Sequence, residues 1–123
     1  MAGRILIIDD EEFIRSFMKD FFEDRGYNVD TAEDGVDGVD KFTKGTYDLV
    51  LTDMMMPKML GLEVLRRIRK IKPDQKMIMM TGVKETSMVE KAKALGCQYY
   101  LTKPVQLADL EARVAECFPS KAS

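Results

Sequence analysis

Four short apolar runs along the chain show no polar alternation and stop abruptly at polar residues. Ile5-Leu6-Ile7-Ile8 ends in Asp9-Asp10, and Leu49-Val50-Leu51 ends in Thr52-Asp53. Met77-Ile78-Met79-Met80 gives way to Thr81-Gly82, and Tyr99-Tyr100-Leu101 to Thr102-Lys103-Pro104. Unbroken apolar runs of this length suit strands covered on both faces, as in a parallel sheet. A fifth run, Tyr27-Asn28-Val29-Asp30-Thr31, alternates and reads as a strand nearer an edge. Between the strands the spacing becomes helical. Phe13, Ile14, Phe17, Met18, Phe21 and Phe22 recur on one side of a helix, which Gly26 closes. Further helices are predicted from Gly35 to Thr43, from Leu62 to Ile71 before Pro73, from Glu85 to Leu95 before Gly96, and from Leu107 to Phe118 before Pro119. Five βα units in succession predict an α/β doubly wound sheet.

Composition narrows the function classes. A chain of 123 residues, 46% hydrophobic, can bury one continuous core, so residues 1–123 are expected to form a single domain rather than a disordered chain. Lys+Arg 19 against Asp+Glu 21 leaves a net charge of -2, which gives no electrostatic drive to bind nucleic acid directly. No apolar run reaches the length of a membrane span, and Met1-Ala2-Gly3-Arg4 does not lead into a signal peptide. The two cysteines, Cys97 and Cys117, suggest no disulfide framework, and a reduced, cytoplasmic protein is expected. With no histidine at all, Ser-His and Cys-His nucleophile pairs and most zinc sites are excluded.

Ligands of such sheets bind outside the carboxyl ends of the strands. Those ends carry Asp9-Asp10, Asp53, Thr81 and Lys103. Each alone has an ordinary explanation as a helix cap, a turn or a solvated lysine. Together they bring three carboxylates close, where mutual repulsion disfavours full ionisation and calls for a cation. An all-oxygen donor set points to a hard divalent ion, Mg²⁺ above all. Mg²⁺ beside a lysine and a hydroxyl makes a site that handles phosphoryl groups. Hydrolysis by an aspartyl nucleophile, nucleotide binding and storage of a phosphoryl group on an aspartate all remain open. Neither G-x-x-x-x-G-K-[ST] nor G-x-G-x-x-G is present. The D-x-D of haloacid-dehalogenase-like phosphatases is missing too, since Asp9-Asp10-Glu11 stands after the first strand.

At these residues the chain resembles the receiver domain of bacterial two-component response regulators, from Ile5 to about Phe118. The resemblance rests on Asp9-Asp10, on Asp53-Met54-Met55-Met56-Pro57 with Gly61, on Thr81-Gly82 and on Tyr100-Leu101-Thr102-Lys103-Pro104. It implies the flavodoxin-like strand order 2-1-3-4-5, an order already associated with chemotaxis receivers. It also implies that Asp53 accepts a phosphoryl group from a sensor histidine kinase or a histidine phosphotransfer protein. Asp10, Asp53 and the backbone carbonyl of Met55 would ligate Mg²⁺, with Asp9 acting through water. Lys103 would pair with a phosphoryl oxygen, Thr81 would donate its hydroxyl, and Tyr100 would change rotamer with it. A cis Lys103-Pro104 bond is the family's habit. Met55 and Val83 occupy positions that tune loss of the phosphoryl group, and neither orients a water, which implies a long-lived phosphorylated state.

By this resemblance the domain is a signalling module, monomeric unless phosphorylated, that acts on a downstream output protein or effector domain. It would stand alone or form the N-terminal part of a longer regulator. An aspartyl-nucleophile, Mg²⁺-dependent phosphatase is the alternative. Ile14 and Phe17 are expected to meet the kinase or phosphotransfer protein, with Phe13 or Phe17 exposed beside the acidic pocket. The methionine-rich stretch reads as core filler. Arg66, Arg67, Arg69, Lys70 and Lys72 read as a solvated helix face, and Cys97 as a small buried residue.

Overall fold

The computed structural model describes residues 3–82 and 86–118. Strands β1 (Arg4–Ile8), β2 (Asn28–Ala32), β3 (Leu49–Asp53), β4 (Lys76–Thr81) and β5 (Tyr99–Thr102) alternate with helices. These are α1 (Glu12–Glu23), α2 (Gly35–Lys44), α3 (Gly61–Ile71), α4 (Thr86–Ala94) and α5 (Leu107–Glu116). Every strand pair is parallel and the sheet order is β2-β1-β3-β4-β5. The doubly wound sheet predicted from the apolar runs is the fold, and the order implied by the resemblance is the one observed.

Successive side chains of a strand point to opposite faces, so a run with both faces covered is apolar throughout. Ile5, Ile7, Leu49, Leu51, Ile78 and Met80 pack with Met18 and Phe22 of α1 and with Leu110 and Val114 of α5. The alternate residues Leu6, Ile8, Val50, Met77 and Met79 pack with Phe42 of α2, Leu65 and Ile68 of α3, and Ala92 of α4. β2 lies at one edge, as its alternation suggested. Its outer carbonyls are occupied by lysines: Lys19 Nζ donates to Val29 O at 3.0 Å and Lys41 Nζ to Thr31 O at 2.5 Å. Those acceptors are thereby withheld from any added strand.

Gly26 and Gly96 take φ values of 95° and 84°, the left-handed geometry that closes α1 and α4. At α1, Tyr27 N–H reaches back to Phe22 O at 3.1 Å, and at α4 Cys97 N–H reaches Ala92 O at the same distance. α5 ends at Glu116, short of the Phe118 expected from the pattern, and the Phe118 ring packs on Tyr27 with centroids 5.1 Å apart. Glu85 and Pro119, which the pattern placed at helix boundaries, lie outside the described residues.

Cys97 is half-buried, not fully buried as expected, and desolvation still pushes its thiol up to about 11, consistent with an inert packing role. The basic face of α3 is only partly solvated. Arg66 and Arg67 pair with Glu63 at the surface, but Arg69 turns inward. Its guanidinium donates to the carbonyls of Leu95, Gln75 and Gly96 at 2.5, 2.5 and 2.7 Å.

α3 begins directly against the end of β3. A Cβ on Gly61 would stand 2.3 Å from the Asp53 carbonyl oxygen and 2.8 Å from Met54 Cα, both backbone atoms that cannot step aside cheaply. Gly61→Ala is therefore expected to lower stability by about 2 kcal/mol, read from the urea midpoint, as overpacked sites generally do.

Candidate functional site: an acidic pocket at the carboxyl end of the sheet

Pairing register decides which strand ends meet. Ile8 lies beside Thr52, so Asp9-Asp10 emerges next to Asp53, the last residue of β3. Asp53 pairs with Met80, which puts Thr81, the last residue of β4, one step further on. Thr81 pairs with Thr102, and the Lys103 N–H donates to Thr81 O at 2.8 Å. Lys103 thus starts two strands away from Asp53 and reaches back across β4. Its Nζ lies 3.1 Å from Asp53 Oδ2 and 3.4 Å from Asp9 Oδ2. The Lys103-Pro104 peptide bond is cis.

Asp9 is fully buried, with Oδ1 accepting the Glu11 N–H at 2.9 Å. Asp53 is buried and Asp10 is exposed at the mouth. One carboxylate oxygen from each of Asp9, Asp10 and Asp53 falls within 4.8 Å of the others. Glu11, the residue that precedes α1, is exposed with Oε1 at 4.0 Å from Lys103 Nζ.

Burial raises the Asp53 carboxyl above its ordinary range. The Lys103 ammonium and the Met55 N–H oppose that shift, and the Asp9 carboxylate adds to it. Desolvation therefore outranks the mutual repulsion of carboxylates that the sequence suggested. Burial by itself would lower Lys103, but the Asp9 and Asp53 carboxylates outweigh it and hold the ammonium charged.

The other residues expected at the site differ in their burial. Thr81 is fully buried. Tyr100 is half-buried against the core on the α2, α3 and α4 side. Met55 is exposed beyond Asp53, and Val83 lies outside the described residues. Ile14 is half-buried, packed on the core beside α1 and α5. Phe13 and Phe17 are 77% and 43% exposed with rings stacked at 6.2 Å, so Phe13 is the more outward of the two.

Two contacts at this end were not read from the sequence. Arg15 Nη1 donates to the Asp9 carbonyl at 2.8 Å, bracing the acidic turn from α1. Lys58 Nζ pairs with Asp34 Oδ2 at 3.2 Å, joining the loops after β2 and β3. Asp34 could have been recognised as the residue before Gly35 that caps α2, which it does by accepting the Asp37 N–H at 2.8 Å. Nothing local in the sequence marks Lys58 as its partner.

A parallel α/β sheet that gathers three carboxylates and a lysine at its carboxyl end matches the architecture that the family resemblance implied. The chain belongs to the response regulator receiver domains, whose family model matches residues 5–115. It is therefore a signalling domain of two-component systems. It is 39% identical over 111 residues to the transcriptional regulatory protein DltR of Streptococcus agalactiae, across 90% of this chain and 50% of DltR. The chain thus spans about half the length of that relative. It is 34% identical over 123 residues to sporulation initiation phosphotransferase F of Bacillus subtilis, across 100% of this chain and 99% of the other. The response regulator TrrA of Thermotoga maritima, solved in complex with Mg²⁺-BeF, superposes with a TM-score of 0.86 at 37% identity. That match covers 96% of this chain and 100% of TrrA. Among the described residues no helix is long and apolar enough to cross a membrane.

The raised Asp53 carboxyl makes a pH-dependent expectation. A folded state that holds this proton more tightly than the unfolded chain gains stability from it in acid, and loses that gain as pH rises through the raised value. At neutral pH without metal, the ionised carboxylate is a net cost. Asp53→Asn removes that cost while Lys103 keeps Asp9 as a partner. The variant is expected to have a higher urea midpoint than the parent at neutral pH in EDTA, with the difference closing in acid. Urea titrations at several pH values check this, and a destabilised variant at neutral pH would contradict it.

Proposed function

We propose that Asp53 accepts a phosphoryl group from a histidine kinase or a histidine phosphotransfer protein, with Mg²⁺ held in the acidic pocket. The observation that carries this reading is the single ammonium of Lys103 set against Asp53 and Asp9, with three carboxylates converging within 4.8 Å. Among the described residues one lysine leaves that group net negative, and its donors are all oxygen, which fits a hard divalent cation. Asp10, Asp53 and the Met55 carbonyl would hold it, with Asp9 acting through water. When bound, the cation neutralises charge on the phosphoryl oxygens.

The chain's own groups do the rest. A carboxylate oxygen of Asp53 attacks phosphorus, and the bond from phosphorus to the donor imidazole breaks, its electron pair leaving with the donor. Lys103 pairs with a phosphoryl oxygen as charge builds there. Thr81 donates its hydroxyl to the bound group, and Tyr100 follows it. The face of α4, β5 and α5 changes as a result, biasing a two-state switch. TrrA in complex with Mg²⁺-BeF supports the metal assignment. Phosphotransferase F, matched along its full length, supports a place in a relay, and DltR supports an output carried by a further effector domain or protein. The domain, residues 1–123, acts in the cytoplasm as a monomer until phosphorylated.

Incubation with acetyl phosphate and Mg²⁺ should add one phosphoryl group per chain, seen by intact mass. Asp53→Asn or excess EDTA should abolish the addition. Persistence of the mass shift in the variant would remove Asp53 from its role, and release of many phosphates per chain from a phosphomonoester would favour the phosphatase reading.

The donor's helix is placed by this reading against α1, where Phe17 is exposed and Ile14 half-buried. Phe17→Ala is expected to slow transfer from a cognate donor by about tenfold, a loss typical of a buried aromatic contact in an interface, while phosphorylation by acetyl phosphate stays within about twofold. Equal slowing in both assays would make Phe17 a packing residue only.

A further inference from the structure

The loop after β3 is tied at its base and at its tip, and Met55 lies between the ties. At the base, the Gly61 N–H donates to Met54 O at 2.7 Å. At the tip, the Met59 N–H donates to Pro57 O at 2.8 Å, closing a γ-turn around Lys58. Lys58 sits there at φ 72°, the one positive φ among the described non-glycine residues. A lysine gains nothing from that backbone, which a glycine would adopt freely. What holds it is a second loop. Lys58 Nζ pairs with Asp34 Oδ2 at 3.2 Å, and the Asp34 side chain is 9% exposed. A Cβ on Gly35 would stand 2.7 Å from Met59 Cβ, so the two loops touch at the neighbouring residue as well.

We propose that Asp34 and Lys58 form a latch that positions the loop carrying Met55 for cation binding in the acidic pocket. The latch rests on the reading of that pocket as a Mg²⁺ site. Both are positioning residues, since neither belongs to the carboxylate cluster. The Asp37 N–H, ahead of the Lys58 ammonium, holds the Asp34 carboxyl below its ordinary range, so the latch stays charged at neutral pH. The ion pair adds to the γ-turn hydrogen bond and the Gly35–Met59 contact, and together they give the loop a defined position before any cation arrives.

Calorimetric titration with Mg²⁺ alone tests the latch. Lys58→Met is expected to weaken Mg²⁺ binding by about threefold, the scale of a partly exposed ion pair, and Lys58→Arg to preserve it. Asp34→Asn keeps an oxygen to cap α2 but loses the charge, and should match Lys58→Met. The double variant should be no weaker than either single one, because both remove the same contact. Lys58→Gly separates positioning from stability. It should weaken Mg²⁺ binding as Lys58→Met does while raising the urea midpoint in EDTA, since it relieves the positive φ. Unchanged Mg²⁺ affinity in Lys58→Met and Asp34→Asn, with the parent binding normally, overturns the latch alone. A parent chain that binds no Mg²⁺ overturns the pocket assignment and the latch with it.

Discussion

The carboxylate of Asp53 terminates a strand whose residues are all buried, and the carboxyl end of the sheet is arranged around the cost of that position. An ion there has little water, and several kcal/mol of hydration must be recovered from neighbours. Lys103 is the neighbour that recovers it. At an effective dielectric of about 20, unit charges about 3 Å apart attract by about 5 kcal/mol, of the same order as the burial cost. The two nearly balance, which is why the Asp53 carboxyl is still raised with an ammonium 3.1 Å away. A second buried carboxylate, Asp9, shares the same lysine. Among the described residues the pocket is therefore short of positive charge, the condition on which the proposed divalent cation rests.

Geometry follows from this electrostatic requirement. Lys103 must span β4 to reach Asp53, so its backbone is anchored where the span begins, on the Thr81 carbonyl. Asp9 is held on both of its chemical ends. Its carboxylate takes the Glu11 N–H, and its carbonyl takes the Arg15 guanidinium. The loop beyond Asp53 starts α3 at Gly61, a residue with no side chain to push the strand end away. Each of these contacts fixes a polar group before any ligand is present, so little reorganisation is left to the moment of reaction.

Much of this was legible in the sequence because burial on both faces writes unbroken apolar runs. Ile5 to Ile8 and Met77 to Met80 announce buried strands, and the polar residues that end them announce the pocket. Strand order left no local trace and came only with the family resemblance, since crossovers are set by packing between distant segments. Arg69 was hidden within a basic cluster whose other members are solvated. Its role as a donor to three carbonyls depends on where α4 ends, which helical spacing alone does not state. Lys58 was hidden for a different reason. Lysine is not a residue that signals positive φ, so its turn is visible only once the Asp34 loop lies beside it. On α1, aromatic spacing identified the helix but not its outward side chain. Phe13 projects further than Phe17, while Ile14 turns to the core.

The two helices that follow β3 and β4 are anchored in opposite ways, and this bears on where a change at the pocket can go. α3 buries Gly61, Leu62, Val64, Leu65 and Ile68, and its first residue abuts the backbone of Asp53. Moving α3 would disturb a close-packed layer and the site itself, at a cost of several kcal/mol. α4 contributes Ala92 to the buried core on that side, with Met88 partly buried beside it. Its described anchoring is concentrated at the C-terminal end, where Arg69 holds the Leu95 and Gly96 carbonyls and the Met77 N–H donates to Gln98 Oε1 at 2.8 Å. Thr81 lies toward the other end of α4. Under the proposed function, a displacement that begins at Thr81 would disturb fewer buried side chains in α4, where Ala92 is the fully buried one among the described residues, than in α3.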